Sequence, residues 1–432
     1  MRRTVIAFVC TVLAVVGVAA TADASPLRSS TSTAAKSTAR TVMYVGNNWD
    51  GTATVVDAAS MQKLGTLNVV PDYDERMAEI RSNPDKLAYF LAIRQQIGEG
   101  HDQLVDDMFS TPDGRLVAVS RPSFADVVGI NTRTRKIVWR FPMHGYRADH
   151  MAENPAGTRI LVSDSTANHV DELDIRTGRL LRQFPSGDTP HESNYSKDGS
   201  LIYHASIGRI YTPTDPSQFC PLTDPTKGDQ RFEIVSNDTF QIMKQWDIGQ
   251  KLKDAGFDCM SSAVRPMAIS PDETKAYLQV SFFHGYVVFD LVNGKVLDVV
   301  DLPNRVPDMP KSQYVLNSAH HGIALDSTGS KLCIAGTMDD YVALVDVADP
   351  QHRTILDLPH QGDRPYWATN GPDATRCWVS IAGDDRVNVY GYADDAQVGS
   401  VGVGDHPQRI RAGHLSSDAL AAWQSGAPPA AR

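Results

Sequence analysis

A short turn recurs along this chain, and its spacing limits the folds open to it. Thr111-Pro112-Asp113-Gly114 has relatives in Asn154-Pro155-Ala156-Gly157, Ser196-Lys197-Asp198-Gly199, Ser270-Pro271-Asp272-Glu273, Asp326-Ser327-Thr328-Gly329 and Gly371-Pro372-Asp373-Ala374. Most lead into a short apolar strand, such as RLVAVS, RILVSD, KAYLQVS, KLCIAG or RCWVSIAG. A second turn and a strand that usually closes on aspartate come next, as in VDELDIRTGRL, YVVFDLVNGKV and YVALVDVADP. Thr111 and Asn154 are 43 residues apart, and Asp326 and Gly371 are 45 apart. That is the length of one four-stranded unit in a radial repeat.

Six units run from His101 to Asp405, and a seventh is split between the ends of the chain. Residues 41 to 70 hold three strands with no inner strand before them. His406-Pro407-Gln408-Arg409-Ile410 repeats the start of a unit and stops. One C-terminal inner strand would complete the three N-terminal strands and leave no free sheet edge. The expected fold is therefore all-β: a single seven-bladed β-propeller with three-plus-one closure between the N- and C-terminal strands. Two insertions interrupt the period. Residues 71–100 read as a helix with Asn83 as N-cap, Pro84 at the first turn, Gly98 as the stop, and Leu87, Phe90, Leu91 and Ile97 as its apolar stripe. Residues 208–231 read as a loop inside blade four.

The ends of the chain read differently. Arg2 and Arg3, an apolar run from Val5 to Ala20, and Ala22-Asp23-Ala24 make a signal peptide over 1–24, cut after Ala24. A flexible leader over 25–40, the propeller over 41–420 and a disordered tail over 421–432 complete the expected organisation. The expected location is secreted and extracellular. Cys220 and Cys259 are expected to form a disulfide in that compartment. Cys333 and Cys377 occupy equivalent second-strand positions in adjacent blades, and their pairing stays open. The 432 residues carry 41 basic and 51 acidic side chains, a net charge of −10. That balance disfavours nucleic acid or a phospholipid surface as the main partner; the expected partners include neither, and the chain is read as a monomer.

In a propeller the inner strands line a central channel, and the residues that begin them face its mouth. The starts are Val105-Asp106-Asp107, Ala148-Asp149-His150, Pro190-His191-Glu192, Val264-Arg265-Pro266, Ala319-His320-His321, Arg364-Pro365-Tyr366 and His406-Pro407-Gln408. Gly187-Asp188-Thr189-Pro190, Gly362-Asp363-Arg364-Pro365 and Gly404-Asp405-His406-Pro407 share a frame that fixes their alignment. Nearly every blade thus delivers an ionisable or aromatic group to one ring. Loops on the same face add Asn48, Trp49, His169 and His284, the last two read as exposed loop residues. The sequence holds no G-x-S-x-G elbow, P-loop, H-E-x-x-H or CxxC pair, so serine-hydrolase, nucleotide-binding and zinc-finger readings gain no support.

Over roughly residues 41 to 420 the chain resembles the YVTN-type seven-bladed propellers of exported bacterial proteins. The Gly46-Asn47-Asn48-Trp49-Asp50-Gly51 start, the histidine-rich strand starts and the closure are also similar to secreted L-rhamnose-α-1,4-D-glucuronate lyases. The resemblance implies a polysaccharide lyase acting on plant arabinogalactan by β-elimination. That chemistry needs a base, an acid and neutralisation of the uronate carboxylate. His150, His191 and His321 are the catalytic candidates, with the base among them unassigned. Arg265 and Arg364 suit a carboxylate clamp, and Asn48, His101, His320 and Tyr366 extend the binding set. Trp49, Tyr366 and Trp367 are expected to stack on sugar faces. The expected partner is an acidic oligo- or polysaccharide. A divalent cation such as calcium is compatible with the ring, and no other cofactor is implied. Two alternatives stay open: a non-enzymatic extracellular binding propeller and a metal-dependent propeller enzyme.

Overall fold

The computed structural model describes residues 39–209 and 226–426. Twenty-eight strands, β1 (Arg40–Asn47) to β28 (Pro407–Leu415) in chain order, form seven four-stranded antiparallel sheets. The innermost strands are β28, β4 (Met108–Ser110), β8 (Ala148–Glu153), β12 (Pro190–Tyr195), β16 (Val264–Ile269), β20 (Gly322–Leu325) and β24 (Pro365–Asn370). Middle strands such as β21 (Lys331–Gly336) and β25 (Arg376–Ile381) are buried over nearly their whole length, because a blade covers each face. The outermost strands, such as β7 (Ile137–Pro142), are half-exposed. No helix of the described residues is long and apolar enough to cross a membrane.

The split blade closes as the sequence predicts. β28 pairs antiparallel with β1, with Thr41 opposite His414 and Val45 opposite Ile410. Arg411 then reaches the next blade, where its Nε and Nη2 bind the two oxygens of buried Asp107 at 2.8 and 2.7 Å. The Asp-Gly turn of blade two meets this closure directly. Gly114 sits at φ +63°, and a Cβ there would lie 2.5 Å from the Ser416 backbone nitrogen, so glycine alone fits. The chain does not become irregular at 421. A helix over Ser417–Gln424, capped by Ser416, carries Trp423 inward, and its indole Nε1 donates to Thr132 O at 2.8 Å. The expected tail boundary therefore falls inside a packed helix.

The insertion at 71–100 contains two helices rather than one: α1 (Tyr73–Arg81) and α2 (Pro84–Gln96). Asn83 caps α2 as expected, its side chain accepting from the backbone of Asp85 and Lys86. The apolar stripe is corrected by one position, because Phe90 and Ile93 are buried while Leu91 is exposed. Fully buried Arg121 anchors the insertion, donating to Asp126 of its own blade and to Asp72 at the foot of α1. A further short helix, α3 (Ile248–Asp254), precedes blade five and is capped by Asp247.

Cys333 on β21 and Cys377 on β25 form a disulfide across two adjacent blades, with Cα atoms 6.4 Å apart. Cys259 is disulfide-bonded, and Cys220, the partner expected for it, lies outside the described residues. The expected signal peptide, most of the expected leader and residues 427–432 also lie outside them.

Candidate functional site

The inner strands share an irregularity where they begin. In five blades the pairing register slips at the first residues of the inner strand. Ala148 faces Asp164 but Met151 faces Val162, and the same step occurs after Pro190, Val264, Pro365 and Pro407. Each slip is a β-bulge, an extra residue that bends the strand and re-aims its side chains. The residue before Pro in each Gly-Asp-x-Pro frame is left-handed, at φ 53° for Thr189, 52° for Arg364 and 54° for His406. Repeated bulges thus turn consecutive residues of each strand start towards the axis.

They open onto a cavity of about 470 Å³. His150, His191, His321, Arg265 and Tyr366 line it, joined by Asp106, Arg147, Gln408 and Arg409. Helix α2 forms one wall through Tyr89, Ile93 and Ile97, and Ile207 and Gly208 lie at the start of the second insertion. The three catalytic candidates meet here. They are 2, 3 and 1 % exposed, and the His150 and His191 rings lie 3.9 Å apart. His321 stacks on Tyr366 with ring centres 4.4 Å apart.

The histidines are not equivalent. His150 Nδ1 pairs with Glu192 Oε2 at 2.8 Å, and its Nε2 meets the Arg409 guanidinium. An arginine can only donate, so Nε2 accepts and Nδ1 carries the proton. Both nitrogens of His150 are occupied. His191 and His321 instead keep a buried Nδ1 with no hydrogen-bond partner. All three are held well below the ordinary histidine range, first by burial and then by the nearby guanidiniums. Burial pushes the Asp106 carboxyl up to about 7 against the pull of Arg409, and Glu192 up to about 7 against Arg411 and Arg409.

The arginines differ as well. Arg147 pairs with Asp149, Nη1 to Oδ2 at 2.9 Å. Arg409 lies 3.6 Å from Asp106 and over the Trp367 ring at 4.1 Å, with Nε and Nη1 unsatisfied. Arg265, 4 % exposed, donates Nε to Ser281 at 2.8 Å. No carboxylate among the described residues lies within ion-pair distance of it. Burial lowers its pKa to about 10.

Several expected binding residues stand elsewhere. Trp49 is sandwiched between His101 and His406, with ring centres 3.8 Å away on each side, so neither face can receive a sugar. That stack also occupies His101. Arg364 pairs with Glu99 beyond the end of α2 and does not line the cavity. His320 is turned onto Asp339, Nε2 to Oδ2 at 2.8 Å. Asn48 acts one step back, donating to Gln103 and Gln408 at 2.7 and 2.6 Å, both of which line the cavity. His284 is not an exposed loop residue, since it bridges Asp339 and Tyr314 at 2.7 and 2.8 Å. Arg147 and Arg409 were not among the expected residues. For Arg409 the signal lay in the frame, which aligns Pro407-Gln408-Arg409 with Pro190-His191-Glu192.

A metal was also expected to be compatible with this ring. His150, His191 and Glu192 offer donor atoms within 4.8 Å of one another. That trio does not suit a cation, since Glu192 is spent on His150 and guanidiniums add positive charge beside it, and a second axial group, Asp106, Asp149 and His150, has Arg409 and Arg147 beside its carboxylates.

No family model and no curated protein matches the chain. Among solved structures it is similar to the hydrazine synthase of Kuenenia stuttgartiensis, at 14% identity and a TM-score of 0.50. The match covers 70% of this chain and 88% of that one. A likeness of this order shows a shared propeller fold and nothing of the chemistry.

Proposed function

We propose that the axial cavity is the active site of a polysaccharide lyase that cleaves the glycosidic bond to a uronate, of the rhamnose-glucuronate type, by β-elimination. The observation that carries this reading is Arg265, a buried guanidinium that faces the cavity without a carboxylate partner. A bound carboxylate supplies the missing charge. With Arg409 beside it, the same interaction delocalises charge from the uronate and acidifies its C5 proton. A neutral histidine removes that proton, and its electron pair forms the C4–C5 double bond. The C4–O bond breaks, and the leaving oxygen takes a proton from the cavity.

His191 and His321 are the two candidates for the base, because His150 has both nitrogens engaged. Their low pKa keeps them neutral at physiological pH, and a bound carboxylate raises their basicity when it is needed. Asp106 lines the cavity, and its carboxyl at about 7 stays partly protonated, which suits it to return the proton. The sugar-stacking role assigned to Trp49 passes to Tyr89 on the α2 wall, 41% exposed, with Tyr146 stacked on one face at 4.0 Å and its other face left for a sugar.

The test is incubation with rhamnose-capped glucuronate oligosaccharides of arabinogalactan, read by ultraviolet absorbance of the unsaturated uronate. Replacing the base by alanine should lower turnover by about 10²-fold or more while binding survives. Glucuronate binding without any unsaturated product would establish a binding propeller instead.

A further inference from the structure

A second cluster of metal-type side chains lies in blade three, outside the axial cavity. His144 comes from the loop between β7 and β8, Asp164 from the end of β9 (Arg159–Asp164), and His169 and Asp171 from β10 (His169–Asp174). One donor atom from each lies within 4.8 Å of all the others. Both carboxylates are fully buried, yet Asp164 Oδ1 and Asp171 Oδ2 have no hydrogen-bond partner. Nor does His169 Nε2. Two buried carboxylates, each with one unsatisfied oxygen, cost several kcal/mol unless a positive charge, a proton on His169 or a bound ion, sits between them.

The surroundings prepare these atoms for an ion. His169 Nδ1 lies 3.1 Å from Ala167 O, so it carries the proton, and the Nε2 lone pair turns to the cluster. That is the usual support of a metal-bound histidine. Nε2 stands 3.2 Å from Asp171 Oδ1 and 3.8 Å from Asp164 Oδ2, ion-pair distances that hold the His169 pKa above the ordinary histidine range, and a bound ion would take the place of that proton. His144 Nδ1 lies 3.7 Å from Asp171 Oδ2. The outer oxygens are held in turn: Gly145 N donates to Asp164 Oδ2 at 2.8 Å, and Gln183 Nε2 to Asp171 Oδ1 at 2.5 Å. A Cβ on Gly145 would lie 2.3 Å from Asp164 Oδ1, so only glycine lets the loop close on that carboxylate.

We propose that His144, Asp164, His169 and Asp171 form a binding site for a first-row divalent transition ion, with zinc the best fit. Two neutral imidazoles and two carboxylates carry two negative charges, which balance those of a divalent ion. Bonds of about 2.0–2.2 Å in a tetrahedron need donors roughly 3.4 Å apart, against 3.2, 3.7 and 3.8 Å for the three pairs above. The ion joins the His144 loop to β9 and β10. Arg147, Ser165 and Thr166, which line the axial cavity, sit on those same connections. Tyr146 N also donates to Thr166 Oγ1 at 2.6 Å, tying the two loops together. The site thus braces one wall of the cavity.

The test uses the exported chain without an affinity tag, stripped with chelator and titrated with zinc by calorimetry. We expect one zinc per chain, a rise in melting temperature on loading, and intense visible bands on loading with cobalt instead. Exposed His144 can be changed without disturbing the core, and His144→Ala should weaken zinc binding about tenfold or more. His169→Gln should lose it, while His191→Ala, in the axial cavity, should keep it. No stoichiometric zinc in the wild type, or binding unchanged in His144→Ala and His169→Gln, overturns the proposal. So does loss in His191→Ala alone, which would move the ion to the axial histidines.

Discussion

Arg265→Met offers a test in which stability and binding should move in opposite directions. The native guanidinium is buried without a carboxylate, and its pKa lies at about 10. Relative to an ordinary arginine that drop amounts to roughly 3 kcal/mol against the charged form. The folded pKa lies below the unfolded one, so the cost is present in full below about pH 10 and fades only above it. Methionine fills similar space without charge, but the hydrogen bond to Ser281 is lost, worth about 1–2 kcal/mol. The ligand-free variant should therefore be more stable by about 1–2 kcal/mol. For 432 residues the unfolding entropy is roughly 0.9 kcal/mol/K, so the melting temperature should rise by about 1–2 °C in calorimetry at neutral pH. Glucuronate should stabilise the wild type and leave Arg265→Met unmoved. A variant that melts lower than wild type, or that still responds to glucuronate, would refute the idea that Arg265 awaits an anion.

Arg364 gives the contrasting case. Its ion pair with Glu99 is partly exposed, so Arg364→Ala should cost under about 1 kcal/mol and leave glucuronate binding within a few-fold, as titration calorimetry would show. Removing the Cys333–Cys377 bridge by Cys377→Ser opens a loop spanning 44 residues and should cost about 4 kcal/mol, measured as a shift of the denaturation midpoint. Asp106 titrates near 7 in the fold, above its unfolded value, so its stabilising contribution is complete below about pH 4 and is lost as pH rises through about 7. Asp106→Asn should remove that decline, seen by comparing urea stability of both proteins at acidic and mildly alkaline pH.

The repeat was legible because every blade solves the same packing problem with the same local chemistry. Turn residues at fixed offsets and strands buried on both faces leave marks that survive the loss of identity between blades. The closure was legible for the same reason: the Gly-Asp-x-Pro frame appears at Gly404–Pro407 with no full blade after it, and β28 supplies the missing strand. The disulfide between Cys333 and Cys377 was half-legible, since a 44-residue separation places both on the same strand of neighbouring blades. The side-chain partners at the site were not legible. Nothing in the local sequence says that Trp49 will be covered on both faces by His101 and His406, residues from opposite ends of the chain. Nor does it say that α2 will end where Glu99 can capture Arg364.

The bulges explain why the repeat predicted the place of the site but not its wiring. A regular strand would send alternate residues to opposite faces. The extra residue lets two neighbours from one strand start approach the axis, so Gln408 and Arg409 both line the cavity. The backbone device is repeated while the side chains it presents are not. Arg147 has Asp149 at 2.9 Å, and Arg409 has Asp106 at 3.6 Å. Blade five presents Arg265 with only a hydroxyl for company. Of the three guanidiniums in the cavity, Arg265 alone has its charge unanswered, so a carboxylate entering from solvent gains most by settling beside it. Two of its neighbours, His191 and His321, are the cavity-lining histidines with an unpartnered ring nitrogen. In the proposed elimination, charge recognition and proton removal would therefore fall to adjacent blades around one ring.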